Sequence, residues 1–117
     1  MNQVEVNALQ EQFIFHCKEY WKKINLGDAD AANKLTRRND EIVAGWEKKF
    51  TASKFLLPLL AHDDEEVQFA AAAYLVNFPE RNDAIAVLRK FANNLNGLVT
   101  PSARAVLRLH KVPLQEA

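Results

Sequence analysis

The sequence predicts an all-α chain of about six helices. Apolar residues recur at three-and-four spacing along nearly the whole length. Glycine (three) and proline (four) are scarce, and valine, isoleucine and threonine build no alternating run of the kind a half-buried strand needs. At 117 residues the chain is long enough for a real core and too short for two full domains.

The first helix is expected over 3–25, with Val6, Leu9, Phe13, Cys17, Tyr20 and Ile24 on one face and Gly27 as its stop. Asp28 or Asp30 then caps a second helix over 29–50. Its stripe is Leu35, Ile42, Val43, Trp46 and Phe50, with polar Asn39 in the middle. Two long helices joined by a short connection are expected to pack antiparallel. A third, short helix over 53–61 opens at Thr51 or Ser53. Pro58 removes one hydrogen bond from its ladder and should bend or loosen it.

The fourth helix carries the most informative stretch, "AHDDEEVQFAAAAYL" over 61–75. Asp63 is the candidate N-cap, and Glu66 can reach back to complete a capping box. Asp64, Glu65 and Glu66 lie against the positive end of the helix dipole. From Val67 to Phe78 the helix is apolar nearly all round, the pattern of a central rod. Ala70 to Ala73 let neighbouring backbones approach closely and favour the helix intrinsically. After Pro79 a fifth helix is expected over 80–94, with Ile85, Leu88, Phe91 and Ala92 inward. "NNLNG" (93–97) reads as a turn. A sixth helix, with Thr100 as N-cap and Pro101 at its first position, ends near Lys111.

Laying residues 55–78 on 87–110, a shift of thirty-two, gives five identities in twenty-four positions without a gap. They are Leu56 on Leu88, Val67 on Val99, Ala71 on Ala103, Ala73 on Ala105 and Leu75 on Leu107. That period falls in the range of helical-repeat arrays. A sixth helix starting at Thr100 begins about a turn later than this alignment asks.

"FLLPLLAHDDEEVQFAAAAYL" (55–75) resembles a HEAT repeat: a leucine-rich helix, an acidic turn, then Val67 and an alanine-rich second helix. Gln68 stands where that family often has arginine. The segments "AANKLTRRNDEIV" (31–43), "LLPLLAHDDEEVQFAAAAYL" (56–75) and "GLVTPSARAVLRLHK" (97–111) together resemble a family of small bacterial HEAT-like proteins without an established activity. The resemblance implies a right-handed α-α superhelix. Residues 1–117 would form a single domain, with a capping helix pair over 1–50 and two HEAT-like hairpins over 51–112. Some small bacterial HEAT-like proteins serve as immunity partners of toxins, so an immunity or scaffold role is what the resemblance implies.

Charge excludes little and favours nothing extreme. Lys+Arg and Asp+Glu are 15 each, so no global basic field attracts nucleic acid or anionic lipid. One cysteine, Cys17, permits no internal disulfide and fits a reducing compartment. The first twelve residues carry neither a basic segment nor an apolar core of a secretory signal, and no apolar run is long enough to span a membrane. A cytoplasmic location is therefore the default expectation.

No phosphate-binding glycine loop, GxSxG or HExxH motif occurs, so neither an enzyme nor a cofactor is expected. One cysteine and three scattered histidines make no metal-ligand spacing, and Cys17 within an apolar stripe reads as a core residue. Candidate partner-binding residues are Arg37 and Arg38 and the turn His62, Asp63, Asp64 and Glu65. Phe15, Trp21 and Phe69, off the main stripes, become interface candidates wherever they are exposed. The leading reading is a non-enzymatic protein-interaction domain, a monomer or weak homodimer that binds another protein. The alternative is a nucleic-acid-binding or base-processing HEAT-like repeat. The basic pairs Lys22-Lys23, Arg37-Arg38 and Lys48-Lys49 are diluted by neighbouring acids, so nucleic acid is the less favoured partner.

Overall fold

A computed structural model describes residues 3–115. They form six α-helices and one 3-10 segment, with no strand among the described residues. The helices are α1 (Gln3–Asn25), α2 (Ala29–Lys48), α3 (Ala52–Leu56), α4 (Glu65–Leu75), α5 (Arg81–Ala92) and α6 (Thr100–Leu109), with the 3-10 segment at Leu57–Ala61 between α3 and α4. The chain divides into two compact units, Met1–Phe55 and Leu56–Ala117. No helix among the described residues is long and apolar enough to cross a membrane.

In the first unit α1 and α2 pack antiparallel. Phe13 lies near the Trp46 ring at 6.0 Å between centroids, while His16 and Cys17, further along α1, meet Asn39, earlier on α2. Trp46 also meets the edge of Phe55 at 5.3 Å, so one indole joins both helices to α3. Phe13, Ala32, Val43, Trp46, Ala52 and Phe55 form the apolar interior. The side chain of Val6, the first member of the expected α1 stripe, lies outside the described residues. At the far end of that stripe Ile24 is exposed rather than buried.

Both long helices close with the same device. The N–H groups of Gly27 and Asp28 donate to the carbonyls of Ile24 and Lys23 at 3.0 and 2.9 Å, with Gly27 at φ 78°. This is a Schellman turn, which needs a left-handed residue. At the end of α2 the N–H groups of Phe50 and Thr51 donate in the same pattern to Glu47 and Trp46 at 3.0 and 2.9 Å, and Phe50 takes φ 58°. The expectation that Phe50 continues the buried stripe is therefore corrected. The helix ends at Lys48, the backbone turns left-handed, and the ring leaves the helical face for solvent.

In the second unit Pro58 acts as anticipated: α3 gives way to the 3-10 segment beside it. α4 packs against the 3-10 segment, α5 and α6, and no residue from Glu66 to Val76 is exposed. Ala71 and Ala72 are wholly buried, as a central alanine-rich rod requires. α4 begins at Glu65, and its capping residue is Asp64, not Asp63, with no side-chain hydrogen bond to the helix. The turn is satisfied differently. The Asp64 N–H donates to His62 Nδ1 at 3.0 Å, and the Asp64 carbonyl accepts from Val67 and Gln68 at 3.1 Å each. Nor is Thr100 an N-cap. It is the first residue of α6, and its hydroxyl proton is shared between the carbonyls of Phe91, in the last turn of α5, and Asn94, just after it.

The thirty-two-residue offset reappears in packing and hydrogen bonding. Leu56 and Leu88, Val67 and Val99, Ala71 and Ala103, and Leu75 and Leu107 are all 0% exposed. Gln68 Nε2 donates to the His62 carbonyl, and Thr100 Oγ1, at the matching position, donates to the Asn94 carbonyl. The Asp64 N–H donates to the His62 side chain, and the matching Asn96 N–H donates to the Asn94 side chain at 3.3 Å. Only the fifth identity diverges, since Ala73 is half-buried and Ala105 exposed.

Candidate functional site

The α1–α2 pair carries an open groove of about 490 Å³. Its α2 wall is Arg38, Glu41, Ile42, Gly45, Trp46 and Lys49, alternating steps of three and one that mark a single helix face. Leu9, Gln12 and His16 of α1 form the other wall. The volume falls within the range of ligand-sized clefts, and the lining is apolar in the middle with a cation toward each end of the α2 wall. Arg38, Glu41 and Lys49 are all exposed.

Beneath the groove lies a polar knot. The His16 and Asn39 side chains are buried, and His16 Nδ1 stands 2.8 Å from Asn39 Oδ1. Asn39 Nδ2 donates to the Phe13 carbonyl at 3.3 Å and to Cys17 Sγ at 3.6 Å. Those two acceptors fix the amide orientation, so His16 Nδ1 is the donor and carries the proton. That bond orients the His16 ring within the helix pair. Cys17 is 4% exposed, the small core residue its stripe position suggested.

Two features of the groove violate local rules. Gly45 sits inside α2, where glycine costs about 1 kcal/mol relative to alanine. Yet a Cβ at Gly45 would meet nothing within 4 Å beyond the adjoining helix backbone, so the unit's own packing does not call for glycine. Trp46 is 1% exposed, and its indole Nε1 has no hydrogen-bond acceptor among the described residues. A buried donor left in that state costs about 1–3 kcal/mol.

A third departure lies one residue beyond the groove. Phe50 is 98% exposed and holds a left-handed backbone that glycine normally occupies. Its backbone N–H closes the α2 turn on Glu47, but its ring gains no burial from the chain that displays it. Exposed Lys48 and Lys49 precede it.

The residues singled out from sequence fall in both units. Arg37 and Arg38 belong to the first. Both are exposed, and as neighbours on a helix they point about 100° apart, with only Arg38 on the groove. The His62–Glu65 turn belongs to the second. His62 is committed to it through Nδ1 and its carbonyl. Its Nδ1 also lies 3.8 Å from Asp64 Oδ2, but a ring nitrogen that accepts the Asp64 N–H cannot donate to that carboxylate, and the 3.0 Å bond is the shorter. Asp63 and Glu65 are exposed and Asp64 is half-buried. Of the three off-stripe aromatics, Phe15 is 58% exposed, while Trp21 and Phe69 are half-buried. Gln68 bridges elements: its amide nitrogen donates to the His62 carbonyl and its amide oxygen accepts from Lys90 Nζ at 3.1 Å.

Sequence reasoning missed Gly45 and misplaced Phe50. Gly45 had a legible signal, a lone glycine in an otherwise helical run. Phe50 had none, because a phenylalanine at helical spacing reads as core. Among the described residues no three of His, Cys, Asp and Glu come together in a way that could hold a metal ion. Compared with family models, with curated proteins and with solved structures, the chain matches none.

Proposed function

We propose that the chain is a non-enzymatic protein-interaction domain that holds one partner, in a scaffolding or neutralising role. Phe50 carries this reading. A large aromatic kept wholly in solvent on a strained backbone is unfavourable twice over for the isolated chain, and such departures concentrate where function requires them. Aromatic anchors of this kind dominate the energetics of protein interfaces. The flanking Lys48 and Lys49 suit a partner with an apolar socket and an acidic rim. Arg37, on the same helix, and Asp63 and Glu65, on the second unit's turn, are further exposed contact candidates.

Affinity capture from the native host with the wild-type chain and Phe50→Gly, read by quantitative mass spectrometry, tests it. A protein retained by the wild type and lost by the variant supports the reading. Identical captured sets would reject it, since glycine keeps the left-handed turn while removing the ring.

A further inference from the structure

We propose that two copies of this chain associate through the α1–α2 groove, with the α2 helices antiparallel and Gly45 on the twofold axis. Space for a Cβ is open at Gly45, so its absence serves a surface that comes from outside the chain and approaches the backbone closely. A second copy of the same helix is such a surface, and a twofold interface must be self-complementary about its axis.

The charges on the α2 wall meet that requirement. Glu41 and Lys49 stand four residues either side of Gly45, about 6 Å along the axis in each direction. Reversing a second α2 about Gly45 sets Glu41 of each copy at the height of Lys49 of the other. Two symmetric ion pairs result, and neither residue pairs with another side chain within its own copy among the described residues. An axis one and a half residues earlier would instead oppose Arg38 and Lys49, a like-charge clash, so the charge pattern selects the glycine-centred register. Ile42 and Leu9, both half-buried, are the apolar surface that the second helix covers. Lys49 also flanks Phe50, but the partner reading above rests on the Phe50 ring, which this interface does not use.

The deciding experiment is sedimentation equilibrium of the full chain up to ~1 mM, the weak end of measurable association. The wild type should show a monomer–dimer equilibrium. Lys49→Glu or Glu41→Lys alone places like charges together twice and should weaken it by roughly tenfold. The double variant Glu41→Lys with Lys49→Glu restores both pairs and should return the dissociation constant to within about threefold of wild type. Gly45→Leu should abolish the dimer while the thermal midpoint of the monomer holds or rises, which separates blocked association from failed folding. A monomer throughout the series would overturn the proposal, whatever other protein the groove takes. So would a dimer that ignores the charge exchange.

Discussion

Gln68 and Thr100, thirty-two positions apart, make equivalent hydrogen bonds. Each side chain donates to the backbone carbonyl six residues before it, His62 for Gln68 and Asn94 for Thr100. The two residues differ in size and chemistry, yet each closes the turn that precedes its helix. The Thr100 hydroxyl reaches both Phe91 and Asn94 carbonyls at 2.8 Å. Removing it with Thr100→Val should destabilise the chain by about 1–2 kcal/mol. Gly97→Ala should do similar damage by another route. A Cβ there would stand 2.5 Å from Thr100 Oγ1 and 3.0 Å from Asn94 Nδ2. The two changes act on one contact, so the double variant should fall short of their sum in urea denaturation.

Burial predicts which alanines tolerate enlargement. Ala103 is 0% exposed and matches the equally buried Ala71. Ala105, two residues on, is exposed. Ala103→Leu should cost about 1–3 kcal/mol through overpacking, whereas Ala105→Leu should remain within about 0.5 kcal/mol of wild type. Comparable losses at both sites, measured by urea denaturation, would mean that Ala105 is packed rather than exposed in solution.

Most helices were legible because their signals are local. Pro58, Gly27 and the apolar run from Val67 act within one or two turns of where they stand, and the structure places a 3-10 segment, a left-handed stop and a central rod there. The caps of α4 and α6 differ from expectation for a physical reason. Asp63 and Thr100 have the right chemistry for N-caps, but the His62 side chain takes the Asp64 N–H and α4 starts one residue later, while the Thr100 hydroxyl finds the Phe91 carbonyl, nine residues back, which only the fold brings within reach. Phe50 was hidden for the same reason. Periodicity places it with Trp46, and the end of the helix cancels that placement. The groove needs two helices at once, so Arg38 stood out as a charge without its relation to Glu41, Gly45 and Lys49.

Buried polar residues in the first unit give a sharper test of packing than its apolar ones. Asn39 satisfies His16 Nδ1 and uses its own amide on Phe13 and Cys17, all inside the helix pair. Asn39→Ala leaves the imidazole donor buried without its acceptor and should cost about 2–3 kcal/mol. Cys17→Ala removes a weak sulfur acceptor of Asn39 and a small apolar volume, so its loss should be clearly smaller. Thermal unfolding of the two variants checks the order. Equal losses would mean that the sulfur, not the imidazole, is the important neighbour of Asn39.

Exposed charge should matter little to folding. Arg37 and Arg38 have no ion-pair partner among the described residues. Arg37→Glu with Arg38→Glu should therefore leave the unfolding free energy within about 0.5 kcal/mol of wild type. Cooperative unfolding at a much lower temperature would reveal a structural role for the pair.

Gly27 and Phe50 occupy the same left-handed position at the ends of successive helices, and the difference between them predicts opposite responses. For Gly27, at φ 78°, alanine introduces a Cβ that this backbone disfavours, so Gly27→Ala should destabilise by about 1 kcal/mol although no neighbour stands within 4 Å. For Phe50, at φ 58°, the disfavoured Cβ is already present, and the ring, 98% exposed, contributes no burial to offset it. Phe50→Gly should therefore raise stability by up to about 1 kcal/mol, reduced by the added freedom glycine brings to the unfolded chain. Differential scanning calorimetry of both variants reads the two signs directly. A substitution that stabilises the fold while abolishing partner capture would identify Phe50 as a residue kept for binding against the interest of stability. A Phe50→Gly chain that is less stable than wild type would instead mean that the ring packs on the α2 terminus in solution, and its claim to a binding role would lapse.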